Sequence, residues 1–132
     1  MGGFQNAISV NAENALVGGG NNNMVRVNST DSLVLGGAFN VVATSSSRSS
    51  IIGGFTNRVH CNSNYSSVMA GRNNTVECGS CFSSIISGCG NLITNNSCNS
   101  IILGGQGLTL NNESDMVLVP NLKIESEQEN IS

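Results

Sequence analysis

Apolar and polar positions along this chain return on a period far longer than that of a helix or a strand. One aliphatic column runs through Val17, Val34, Ile51, Val68, Ile85 and Ile102, and a second through Ile8, Val25, Val42, Val59, Val76, Ile93 and Leu110. Between them the glycine pair Gly2-Gly3 recurs as Gly19-Gly20, Gly36-Gly37, Gly53-Gly54, Ala70-Gly71, Ser87-Gly88 and Gly104-Gly105. Three residues past each pair stand Asn6, Asn23, Asn40, Asn57, Asn74, Asn91 and finally Leu108. The step is 17 residues, from Gly3 to Gly20 to Gly37, and it reads as seven rows without insertion or deletion, with Val119 closing the first aliphatic column. A fixed period of this size means that each row is one structural unit stacked on the next.

Within a row, Ser49-Ser50-Ile51-Ile52 is a short strand, Gly53 to Thr56 a turn, Asn57-Arg58-Val59 a second strand, and the Asn/Ser-rich stretch from His60 to Ser66 a return turn. Short β-branched runs split by Gly and Asn/Ser clusters predict β structure, and glycine at this density is incompatible with stable helix. The predicted fold is all-β, a parallel β-solenoid or β-roll of 17-residue coils stacked at about 4.8 Å per step, giving a rod of about 34 Å. Residues 1–120 form the repeat domain and residues 121–132 an acidic cap or linker tail.

Stacked coils place like residues in ladders. The Asn column reads either as an internal amide ladder or as turn residues with positive φ. The Ser columns through Ser29, Ser46, Ser63, Ser80, Ser97 and Ser114, and through Ser32, Ser49, Ser66, Ser83 and Ser100, read as corner residues bonding the local backbone. Ile51 and Ile52 are strand neighbours and point to opposite faces. If the Ile51 column fills the interior, then Leu35, Ile52, Met69, Ile86 and Leu103 form an outer apolar stripe, a feature that points to lateral association. The competing reading turns both columns inward.

Composition alone would suggest disorder, since about a third of the residues are Asn or Ser and only 10% are charged; the registered aliphatic columns argue against it. The net charge is −3, and Glu113, Asp115, Glu125, Glu127 and Glu129 concentrate it near the C-terminus. Arg26, Arg48, Arg58 and Arg72 are scattered rather than gathered into a basic stripe, so no nucleic-acid partner is expected. No apolar run of transmembrane length and no signal-peptide pattern is visible, so no membrane insertion is expected. The opening Met1-Gly2-Gly3 lies in mid-row, which suggests a fragment or a subunit that continues another solenoid.

The phrase Ser49-Ser-Ile-Ile-Gly-Gly-x-x-Asn-x-Val59, echoed from Ser83 to Ile93, resembles the repeats of trimeric YadA-like adhesin heads and of related phage and giant-virus fibre proteins. The stretch from Asp115 to Ile124, with Val119-Pro120-Asn121-Leu122 at its centre, is similar to the one that closes such arrays in phage tail proteins. The resemblance spans residues 2 to 124. It implies a homotrimer packed through one apolar face, on a virion surface or in an extracellular setting. The 17-residue period is longer than that of the adhesin repeat, and no binding residue of the family can be placed on this chain.

Candidate chemistry is sparse. Cys61 and Cys78 share one column and Cys81 and Cys98 another, each pair one coil apart, so disulfides between rungs are geometrically possible and free thiols equally so. Cys78-Gly79-Ser80-Cys81 is a lone C-x-x-C, too little for a metal site, and Cys89 is left over. His60, the single histidine, shares its column with Arg26, Glu77 and Thr94 and is expected to face solvent without a catalytic role. No carboxylate pair and no phosphate loop is apparent. The Asn-x-Ser/Thr sequons at Asn28, Asn64, Asn73, Asn95 and Asn112 are expected from composition alone.

The sequence therefore predicts a non-enzymatic, structural or adhesive segment of a viral or phage tail fibre or spike, with no cofactor. Its expected partners are two further copies of itself, a host-surface receptor or glycan, and neighbouring fibre segments end to end. Variable columns would decorate the rod: Phe4, Asn21, Ala38, Phe55, Arg72, Cys89 and Gln106, and the set of Ser9, Arg26, Ala43, His60 and Glu77. Two alternatives stand beside this reading. One is an ice-binding solenoid, for which the Met24, Val41, Arg58, Thr75, Leu92, Thr109 column is too irregular; the other is a subunit of an end-to-end filament, joined through exposed edges.

Overall fold

The computed structural model describes residues 2–121. The predicted tail, apart from Asn121, lies outside the described residues, as do Leu122 to Ile124 of the closing stretch. Each coil contributes two strands of two or three residues. One sheet holds β1 (Ala7–Ile8), β3 (Met24–Val25), β5 (Val41–Val42), β7 (Arg58–Val59), β9 (Thr75–Val76), β11 (Leu92–Thr94) and β13 (Thr109–Asn111). The other holds β2 (Leu16–Val17), β4 (Leu33–Val34), β6 (Ser50–Ile51), β8 (Ser67–Val68), β10 (Ser84–Ile85), β12 (Ile101–Ile102) and β14 (Val117–Leu118). Both are seven-stranded and parallel, with neighbours in the sheet always one coil apart in sequence. The architecture is the all-β parallel solenoid that the period predicts.

A third ladder was hidden in what reads as a turn. Phe4, Asn21, Ala38, Phe55, Arg72, Cys89 and Gln106 join coil to coil by single-residue parallel bridges. One residue is too short to show a strand pattern, so the coil gains a third hydrogen-bonded side that no alternation announces.

Corners are made by left-handed residues. In one coil these are Gly54 (φ 95°), Thr56 (φ 57°), Asn62 (φ 58°) and Tyr65 (φ 58°), and the same four columns are left-handed throughout the body. Asn and Gly suit this conformation, whereas a β-branched side chain is strained in it. Thr56 stands where another coil has Asn73 (φ 56°). The Thr56→Asn variant is therefore expected to gain about 1 kcal/mol, read as a higher denaturant midpoint at unchanged slope; an equal or lower midpoint would contradict the assigned strain.

The interior is thin. The columns through Val17 and Val25 face each other and are fully buried from coil to coil, while Ile8 remains 39% exposed. Beside them lie the Ser columns, which bond the backbone as the sequence suggests and whose hydroxyls face the interior. Ser63 and Ser66 are buried because left-handed Asn62 and Tyr65, each directly before its serine, turn the chain and aim both hydroxyls inward. Each hydroxyl ties coils together: Ser63 Oγ donates to the Glu77 carbonyl (2.6 Å) and Ser66 Oγ to that of Ser80 (2.9 Å). Ser66 Oγ also accepts from the next coil, where Ser83 N donates to it (3.1 Å), whereas Ser80 N donates to the Glu77 carbonyl rather than to Ser63.

The Asn column settles as an internal ladder, but of amide to backbone rather than amide to amide. Asn57 is fully buried. Its Nδ2 donates to the carbonyls of Gly53 (3.0 Å) and Gly71 (2.9 Å), and its Oδ1 accepts from Asn74 N (3.0 Å). Among the described residues no buried side-chain polar atom lacks a partner. That is the condition for so polar a core to fold.

The last coil departs from the perfect register read in the sequence. Ile102 pairs with Leu118, not Val119, and Ile101 with Val117. Leu110 still pairs with Ile93, yet Glu113 N, not Ser114, binds Ser97 Oγ. One residue is thus missing between Leu110 and Glu113. Leu118 replaces Val119 as the residue that packs on the core, and Ser114 lies beside Cys98, bonded to its N–H at 3.1 Å.

Candidate functional site

The two sheets present unlike outer faces. In a strand the residues flanking an inward one point outward, so the even-numbered strands display Leu16, Leu33, Ser50, Ser67, Ser84, Ile101 and Val117, followed by Gly18, Leu35, Ile52, Met69, Ile86 and Leu103. Leu35 is 48% exposed, Met69 45% and Ile52 38%, and Ile86 is half-buried. The Ile52 column therefore points away from the interior, and of the two readings left open by the sequence the outward one holds. No charged side chain interrupts this face.

The odd-numbered strands carry the charge. Arg26, Arg58 and Glu77 lie on their outer side together with His60. A shallow depression of about 350 Å³ is lined by Thr56, Arg58, His60, Asn73, Thr75 and Glu77. Next to it a depression of about 390 Å³ is bounded by Phe39, Phe55, Val41 and Arg58. Phe39 and Phe55 meet edge to face at 5.6 Å between ring centres. At another corner Tyr65 stacks on Phe82 at 4.7 Å, with the Arg48 guanidinium 5.4 Å from the Tyr65 ring centre and 3.7 Å from the Asp31 carboxylate. Phe39, Tyr65 and Phe82 occupy columns whose left-handed backbone would favour Asn, and Phe55 stands in the bridged column that elsewhere holds Asn21, Ala38 and Arg72, so their side chains are unexplained by the needs of the coil.

The cysteines divide. Cys61 and Cys78 are joined across one rung with their Cα atoms 4.9 Å apart. Cys81 and Cys98, equally spaced in sequence, remain thiols: Cys98 Sγ accepts from Cys81 N (3.3 Å) and donates to the Gly79 carbonyl (3.1 Å). Cys81 Sγ donates to the Asn62 carbonyl (3.3 Å), so it does not meet Cys78 despite the C-x-x-C spacing. Cys89 Sγ lies 3.7 Å from Arg72.

His60 is half-buried rather than fully solvent-facing. Its Nδ1 is 3.0 Å from Cys78 Sγ and 3.4 Å from Cys61 Sγ. The sequence held the signal, a histidine directly before the first cysteine of a stacked pair, but column-by-column reading separated them. Neighbouring Glu77 is held by a hydrogen bond from Thr94 Oγ1. Among the described residues, this is the one group of three side chains whose donor atoms converge as metal ligands would. Neither a protein-family model nor a curated protein sequence matches this chain.

Proposed function

We propose that the chain is a structural rod of a fibre, assembled as a homotrimer through the uncharged outer face of the even-numbered strands. The observation that carries this reading is the outward, uncharged stripe of Leu35, Ile52, Met69, Ile86 and Leu103 along successive coils, four of its five members exposed and Ile86 half-buried. A stripe about 20 Å long with no charge to specify an unlike partner suits self-association. Covering side chains already half out of water would contribute about 1 kcal/mol each. The likeness of the repeat to YadA-like heads and phage or giant-virus fibres supports a tail-fibre or spike setting at a virion or extracellular surface. There the charged, aromatic-rich faces would stay free to contact a receptor or glycan. The role is mechanical and adhesive rather than enzymatic.

Light scattering during size-exclusion chromatography tests the assembly. The expected mass is three times the 13.6 kDa of the chain. The double variant Ile52→Lys/Met69→Lys, which alters only outward side chains, is expected to elute as a monomer with unchanged circular dichroism. A monomeric wild type, or a trimer that persists in this variant, would sink the proposed interface.

A further inference from the structure

We propose that His60, Cys61 and Cys78 form a metal site that alternates with the disulfide: with the bond reduced, the two thiolates and the imidazole bind one thiophilic cation of the Zn²⁺ class. The site lies on the outer side of the odd-numbered strands, away from the apolar stripe, so it is independent of the assembly proposed above.

The argument rests on geometry the solenoid supplies. The step between coils holds the Cys61 and Cys78 Cα atoms 4.9 Å apart whether or not the sulfurs are bonded, because the backbone ladders on either side fix it. His60 Nδ1 and both Sγ atoms lie within 4.8 Å of one another, with the nitrogen 3.0 and 3.4 Å from the sulfurs. Tetrahedral zinc, with bonds of about 2.3 Å to sulfur and about 2.0 Å to nitrogen, spaces its ligand atoms by about 3.3–3.8 Å. The nitrogen is already near that spacing. The sulfurs need only separate after reduction, which rotation of two partly exposed side chains accomplishes. Two soft sulfurs and one imidazole select Zn²⁺ over hard oxygen-loving cations. Three protein ligands leave a fourth position for water or an exogenous ligand. Glu77, its carboxylate engaged by Thr94 Oγ1, borders the same depression.

The chemistry balances with a dithiol as reductant. Dithiothreitol supplies two electrons and two protons and closes to its own cyclic disulfide, while the Cys61–Cys78 bond opens to two thiols. Metal capture then releases those two protons to solvent as the thiolates bind.

Cobalt(II) reports directly on such a site, because thiolate ligation gives a charge-transfer band and tetrahedral coordination an intense visible band. Protein reduced with dithiothreitol, freed of reductant without air and titrated with Co²⁺ should develop both bands to one equivalent. The oxidised protein should develop neither, and Zn²⁺ should bleach them. The Cys61→Ser/Cys78→Ser variant should lose the signal. His60→Ala should retain its β-type circular dichroism and bind at least about tenfold more weakly, since removing even an outer partner of a metal ligand costs that much. Bands that survive in the double cysteine variant would place the metal at Cys81 and Cys98 and overturn the assignment. Undiminished affinity in His60→Ala, or no bands in the reduced wild type, would overturn it equally.

Discussion

Gly54→Ala is expected to abolish folding of the central coils, whereas Gly53→Ala, one residue earlier, is expected to be nearly silent. A Cβ on Gly54 would be driven into the carbonyl oxygen of Gly71, with Asn57 Nδ2 at 2.5 Å and Gly71 N at 3.0 Å. Two of these neighbours are backbone atoms of the next coil, fixed by the ladders, so they cannot yield as the end of a flexible side chain would. The residue is also left-handed at φ 95°. Overpacking and backbone strain together cost more than about 4 kcal/mol, a large share of the stability of any small domain. Gly53 has no atom within 4 Å of its would-be Cβ and is not left-handed. The change there should fall within about 0.5 kcal/mol, in keeping with Ala70 and Ser87, which stand in the same column of later coils. Guanidinium unfolding followed by circular dichroism measures both. Equal midpoints for the two variants would refute the close stacking of the second glycine.

Asn57→Ala should cost about 3–5 kcal/mol, the second largest effect. Three hydrogen bonds of a fully buried amide vanish together: the Asn74 N–H loses its partner in the interior, and the part-buried Gly53 and Gly71 carbonyls each lose one donor. A buried group left unpaired carries its full desolvation penalty, which exceeds the net worth of the bond itself. Asn6→Ala is the internal comparison. Asn6 makes the same three bonds, to the Gly2 and Gly20 carbonyls and from Asn23 N, but the bonds from its Nδ2 are open to solvent. Water can replace part of what is lost there, so its cost should be clearly smaller. If both alanines shift the unfolding midpoint alike, the stabilisation comes from the turn each Asn occupies and not from burial of its amide.

The repeat made the solenoid legible because stacking demands the same residue wherever atoms of adjacent coils touch. The second glycine, the Asn amide and the two inward aliphatic columns obey that demand and were readable as columns. Other features depend on how a single coil bends. Ser63 and Ser66 look like loop serines until left-handed Asn62 and Tyr65 are known to turn them inward, and serine composition does not distinguish a corner from an interior. The Phe55 ladder is one residue wide, shorter than any alternation. The shortened final coil escaped notice because Val117, Leu118 and Val119 are all aliphatic, so a slip of one residue leaves the hydrophobic column apparently intact. The convergence of His60 on the cysteines was lost for a different reason: it joins two adjacent columns across two coils, which neither a row nor a column displays.

Because the interior ties run either within a coil or to the next one, the cross-section repeats from coil to coil through the body of the rod. Removing or adding one complete row in the body changes the rod by a single rise of about 4.8 Å and leaves the interior ladders of the remaining coils with equivalent partners. Stability then grows by nearly equal increments, and folding can spread from any coil to its neighbours. A gene that gains or loses one such unit alters the reach of the product without redesigning it. Length in this architecture is a digital quantity, written in the number of copies and open to variation in whole steps.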